Sequence, residues 1–211
     1  MKNIDQKSRK NSKTDSRSRK IIGVTIIVFS ALALLASVVL TVDLIQILRN
    51  PNLNLSCNIN PIIACQSVMK TWQADLLFGV PNSLFGVAAF AVTLTFGVLI
   101  LARVKLPRWL WICLWIGLAG GAIFAIWMIS QLLYSIGLVC PWCLTADIST
   151  FAIFGAFSQY ILRNNLFEFG AKTNAKIARF LHFDGVKVIV AALILLVFLL
   201  IYLRFGNALF S

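Results

Sequence analysis

Residues 109–162 read WLWICLWIGLAGGAIFAIWMISQLLYSIGLVCPWCLTADISTFAIFGAFSQYIL. These 54 residues carry a single charge, Asp147. As one helix, at about 1.5 Å per residue, they would extend roughly 80 Å, far beyond the roughly 30 Å hydrocarbon core of a bilayer. The stretch therefore predicts two membrane spans joined by a tight turn. Gly137 and Pro141 interrupt the apolar pattern and place that turn at Ser135–Pro141.

Upstream, Ile21–Val42 is a run of 22 uncharged residues between Lys20 and Asp43. It exceeds the apolar region of a secretory signal peptide, about 7–15 residues, and is expected to be an uncleaved first span. Leu76–Ala102 gives 27 uncharged residues for a second span, followed by Arg103, Lys105 and Arg108. Downstream, Val188–Leu203 is a run of 16 between Lys187 and Arg204, whose side chains can snorkel to the interface. The fold expectation is an all-α integral membrane protein of five spans. Spans one to four (21–163, with an outer loop at 43–79) form a four-helix bundle, and the fifth span (188–204) is peripheral. Residues 1–20 are expected to be a basic, unstructured tail, and 164–187 a linker.

The whole chain agrees with this assignment. Of its 211 residues, 60% are hydrophobic and 12% charged. Soluble domains are roughly 45–50% apolar and about 25% charged, so a disordered chain is excluded and a soluble enzyme disfavoured. The net charge of +12 comes from 19 basic and 7 acidic residues. Eight basic residues precede the first apolar run and most others flank apolar runs, an orientation signal rather than a nucleic-acid surface. With the N-terminus in the cytoplasm, 16 of the 19 lie inside, leaving Arg49, Lys70 and Arg204 outside. That is the pattern of a multi-pass membrane protein with its N-terminus inside, and a bacterial inner membrane is the expected location. His182 is the only histidine, too little for a His-rich metal centre or Ser-His-Asp chemistry.

Four of the five cysteines fall on the outer side: Cys57 and Cys65 in the first loop, Cys140 and Cys143 as C-P-W-C at the head of span four. Cys113, near the inner end of span three, is expected only to pack. Residues i and i+3 share a helix face, and unpaired N–H groups at a helix start stabilise a thiolate, so C-P-W-C has the construction of a redox-active dithiol. Pro141 suits the first turn because its missing N–H would have no partner there. Two static disulfides, or a four-cysteine zinc site, are the alternatives; the long first spacing and the lack of a second C-x-x-C weigh against zinc, and no metal is expected. In the loop, Val68, Met69, Trp72 and Leu76 at helical spacing, with Gln66, Lys70 and Gln73 on other faces, predict a short interfacial helix over Gln66–Leu77.

C-x7-C in the first outer loop, N-S-L-F-G (Asn82–Gly86) opening span two and C-x-x-C opening span four together resemble the vitamin K epoxide reductase family over roughly Ile21–Arg163. DsbB-like oxidases share the chemistry, but their C-x-x-C lies in the first outer loop. The resemblance implies a quinone-dependent thiol oxidase: spans one to four surround a membrane quinone (menaquinone or ubiquinone), and electrons come from a thioredoxin-like (DsbA-like) partner. It further implies a relay in which Cys57 exchanges with the partner, Cys65 shuttles to Cys140, and Cys143 faces the quinone. Thr71 matches a Ser/Thr position, its hydroxyl capping the loop helix. Asn82 and Phe85 match quinone-pocket positions, with Asn82 donating a hydrogen bond to a quinone carbonyl.

The chain departs from the family pattern at Asp147, where animal members carry a Tyr. A carboxylate one turn below Cys143 is costly unless paired or hydrated, and a proton-handling role at the quinone is expected beside a purely structural one. No thioredoxin domain is expected after span five, and the dithiol donor is expected to be a separate protein. DsbA-like oxidants sit near about −120 mV, and a membrane quinone is the natural acceptor for them. Quinone-epoxide reduction and a non-enzymatic scaffold with two permanent bridges are the competing readings.

Overall fold

The computed structural model describes residues 2–50, 55, 57–58, 63–75, 79–168, 170, 176–177, 179, 181 and 184–209, with side chains described between 16 and 206. Among these residues the protein is all-helical apart from isolated bridge residues, of which Ile63 pairs with Val139. The helices are α1 (Lys2–Arg49), α2 (Cys65–Met69), α3 (Asn82–Leu101), α4 (Arg108–Ser130), α5 (Pro141–Arg163) and α6 (Gly185–Leu209). A short 3-10 turn, Trp72–Asp75, follows α2. Proline punctuates the starts: Pro81 and Pro107 precede α3 and α4, and Pro141 is the first residue of α5.

Four helical segments are long and apolar enough to cross a membrane: Ser16–Arg49, Asn82–Leu101, Arg108–Ile136 and Gly185–Gly206. The sequence expectation of five is therefore met for four. The exception is α5, expected as span four, and its composition has a structural reason. It packs against α1, α4 and α6, and it buries Asp147, Ser149, Thr150 and Gln159 along with its apolar residues. A helix enclosed by other helices has no need of a uniformly apolar surface. The basic tail also differs from expectation, since the backbone of α1 is helical from Lys2. No Gly or Pro occurs before Gly23 to stop the helix propagating outward from the apolar run.

α1 and α3 approach closely through small residues. Gly23, Ser30 and Ser37 recur every seven positions on α1 and meet Gly97, Thr93 and Gly86 of α3. The Ser30 and Thr93 hydroxyls are hydrogen-bonded at 2.8 Å, and a methyl placed on Gly86 would stand 2.5 Å from Ser37 Oγ. With little hydrophobic drive between helices in lipid, such close packing and interhelical hydrogen bonding hold them together.

α4 ends in a wider coil, Gln131–Ile136, closed by the Gly137 amide donating to the Leu132 carbonyl at 3.0 Å. Gly137 takes φ +68°, a conformation that suits glycine, and the chain reverses there into Cys140. At the end bearing Arg103 and Arg108, Trp111 packs among Phe96, Phe157 and Tyr160, and Trp115 Nε1 donates to Ser158 Oγ at 2.9 Å. On α6, Val188, Ile189, Leu195, Phe198, Leu199, Tyr202 and Leu203 form an exposed apolar face.

Candidate functional site

The end opposite the Trp111 cluster gathers Cys57, Cys65, Cys140 and Cys143. Ala64 N–H donates to the Val139 carbonyl at 3.2 Å, within the Ile63–Val139 bridge. That contact ties the segment leading into α2 to the segment leading into α5, and each is followed at once by a cysteine. Cys65 is the first residue of α2 and Cys140 caps α5; both are fully buried. Cys57 is bonded to Cys65, with their Cα atoms 5.9 Å apart. Cys57, Cys65 and Cys140 share one apolar cluster with Leu40, Ile47, Leu132 and Met69, and Cys143 packs against it. Cys140 and Cys143 are free thiols, with the Cys143 amide donating to Cys140 Sγ at 3.3 Å. The sulfur therefore lies over the open N–H groups of the α5 start. Cys113, expected only to pack, lies exposed on α4.

The loop helix differs from its expected form. α2 stops at Met69, where Thr71 Oγ1 donates to the Val68 carbonyl at 2.7 Å, and the chain re-enters as the 3-10 turn. This break shifts the helical phase. Gln73, expected on a polar face, is 4% exposed, whereas Trp72 is largely exposed and packs against Trp127. Leu76 lies outside the described residues.

Below the cysteine cluster is a mostly apolar cavity of about 830 Å³ bounded by α1, α3, α4, α5 and the loop helix. Cys143, Asn82, Phe85 and Asp147 all line it, so one side chain, Cys143, belongs both to the cysteine cluster and to the cavity wall. Asn82 Nδ2 donates to the Gln73 carbonyl at 2.6 Å. Asp147 is nine-tenths buried, and its Oδ2 has no hydrogen-bond partner; nor has Asn82 Oδ1. Buried polar atoms without partners are uncommon and call for an explanation, which a ligand or a water would supply.

Sequence reasoning missed several contributors to this cavity. Gly117 and Gly120 of α4 line it, and nothing lies within 4 Å of where their side chains would begin. Glycine spacing within the apolar run was the available signal. Gln73 carries no such signal, because its part is played by a backbone carbonyl.

The family model for the vitamin K epoxide reductase family matches residues 24–157, more than half of the chain. A search of curated proteins finds no match.

Proposed function

The chain belongs to the vitamin K epoxide reductase family, an oxidoreductase family, and on that premise we propose that it is a quinone-dependent thiol oxidase of a bacterial inner membrane. The observation that carries this reading is the double membership of Cys143, which packs on the buried cysteine cluster and also lines the cavity. Thiol chemistry on the outer side thus has one sulfur through which to reach a ligand in the membrane.

The cavity fits a quinone in kind. Its volume lies in the roughly 300–1,000 Å³ range of small-molecule sites, and its wall is apolar with a few polar groups. Asn82, Phe85 and Asp147 would hold the ring. A bound quinone supplies a two-electron acceptor.

The chain's own residues then work in order. A thioredoxin-like, DsbA-like partner reduces the Cys57–Cys65 bond, entering at Cys57. Freed Cys65 attacks Cys140 of a Cys140–Cys143 disulfide, releasing Cys143 as a thiolate at the cavity. The partner leaves with its own disulfide and frees Cys57, which attacks Cys65 of the Cys65–Cys140 bond and releases Cys140; the outer pair is then reoxidised and the inner pair reduced, the combination found in the structure. When the inner pair reforms its disulfide, two electrons and two protons leave it. Asp147, which lines the cavity one turn below Cys143, would handle a proton there. Five spans, α5 among them, and an inward N-terminus put the cysteines on the oxidising side.

Alkylation after acid quenching and full denaturation of the purified protein, which exposes the buried Cys140, tests this reading. Quinone should convert Cys140 and Cys143 from alkylatable thiols to a protected pair while Cys113 stays reactive. If both remain alkylatable in excess quinone, the reading fails.

A further inference from the structure

Asn58 and Gln66 each follow one cysteine of the outer pair, Cys57 or Cys65, and the two residues are bonded to each other twice. Asn58 Nδ2 donates to Gln66 Oε1 at 3.1 Å, and the Gln66 backbone N–H donates to Asn58 Oδ1 at 3.4 Å. A backbone N–H can only donate, so it fixes which end of the Asn58 amide is the oxygen. The second bond also serves α2. Cys65 opens that helix, and Ala64 at its N-cap makes no side-chain hydrogen bond. Asn58 supplies an acceptor to the helix start from outside it. Both residues are half-buried, whereas the cysteines they follow are buried.

Neither bond passes through sulfur. The disulfide holds the Cys57 and Cys65 Cα atoms 5.9 Å apart. When it opens, the amide bridge still joins the residue after each cysteine, and a thiol kept near its target acts as one at high effective concentration. In the relay proposed above this matters at one step: Cys65 is bonded to Cys140, the partner has left, and Cys57 must return. We propose that Asn58 and Gln66 are positioning residues that hold Cys57 beside Cys65 while their disulfide is open, so that the outer pair recloses within the protein. The place of this step in the cycle rests on the relay. The Cys57 thiolate attacks the Cys65 sulfur, the Cys57–Cys65 bond forms, the Cys65–Cys140 bond breaks, and Cys140 leaves as the thiolate. The exchange needs no further oxidant. Cys65 thus has a separate tether toward each sulfur it meets, the Ala64–Val139 bond toward Cys140 and the Asn58–Gln66 bridge toward Cys57.

The test first isolates the outer pair, in the full chain in detergent carrying Cys140→Ser and Cys143→Ser. The protein is equilibrated with glutathione redox buffers, quenched in acid, denatured and alkylated, and the Cys57–Cys65 disulfide is counted by mass spectrometry. Asn58→Leu removes both hydrogen bonds and should shift the equilibrium toward the dithiol about 5- to 100-fold, the range of two such bonds. Gln66→Leu keeps its backbone N–H and should shift it about 2- to 10-fold, the range of one. The double variant should go no further than Asn58→Leu, because that change already removes both bonds. Gln66→Leu leaves the contact at the start of α2 in place, so it carries the test if Asn58→Leu does not fold. Equilibria equal to the parent's in the single variants overturn the proposal, as does a double variant in which the two shifts multiply. With all cysteines restored, Asn58→Leu should accumulate the Cys65–Cys140 bond during turnover with a reduced thioredoxin-like donor and quinone. If the equilibria shift as stated but that bond never forms, the relay falls and the tether stands.

Discussion

Ala64 and Val139 are joined by a 3.2 Å backbone hydrogen bond, and the residue after each is a fully buried cysteine, Cys65 or Cys140. This contact registers a loop between α1 and α3 against the turn between α4 and α5. It brings two cysteine motifs from distant parts of the chain into one apolar cluster. The register matters because thiol–disulfide exchange requires access of one sulfur to the other.

Ala64→Pro tests that registration, since proline has no N–H to give Val139. Turnover with a thioredoxin-like donor should fall about 10-fold, the equivalent of one lost hydrogen bond at the upper end of its usual strength. Turnover with a small dithiol that reduces the inner pair directly should change little. Comparing the two donors on the same variant measures the effect.

Gly86 faces Ser37 with no room for a side chain. Gly86→Ala should destabilise the protein by about 1–3 kcal/mol, the usual effect of forcing extra volume into a packed interface. Ser37→Gly, which removes the obstructing atoms, should restore most of the loss in the double variant. Unfolding of the purified variants in denaturing detergent would show it.

The motif N-S-L-F-G was visible in the sequence, but the reason for its glycine was not. Gly86 serves the α1–α3 contact, and nothing along the chain reveals that Ser37 stands opposite. The apolar runs foretold the helices because a bilayer imposes one length on each span. They say least about α5, whose buried Asp147 and Gln159 dilute its apolar character where other helices pack against it. The cysteine spacing carried the chemistry openly. The phase of the loop helix did not show, because the break after Met69 turned Gln73 inward and Trp72 outward. The orientation of Asn82 was likewise hidden, since it is set by a main-chain carbonyl.

Ser30 and Thr93 form a buried hydroxyl pair between α1 and α3. Thr93→Val should lower stability by roughly 0.6–1.7 kcal/mol, the range for single interhelical hydrogen bonds in membrane proteins. The additional change Ser30→Ala should then have a smaller effect than it has alone, because its partner is already gone. A double-mutant cycle in the same detergent assay reads the coupling.

Asp147 lines the cavity with an unpartnered oxygen one turn below Cys143. If it handles a proton there, Asp147→Asn should reduce quinone turnover about 100-fold, the lower end of general acid–base contributions. Asp147→Glu should retain a larger share. Quinone turnover by Asp147→Asn equal to the parent's across the pH range would assign the carboxyl a purely structural role.

The most direct measurement is steady-state quinone reduction by the purified protein with a reduced thioredoxin-like donor, run beside Cys143→Ala and Cys57→Ala. The account predicts that Cys143→Ala abolishes turnover with every donor. It predicts that Cys57→Ala loses turnover with the protein donor but keeps part of it with a small dithiol. Equal rates for all three proteins would contradict it, leaving the cysteines without a part in turnover.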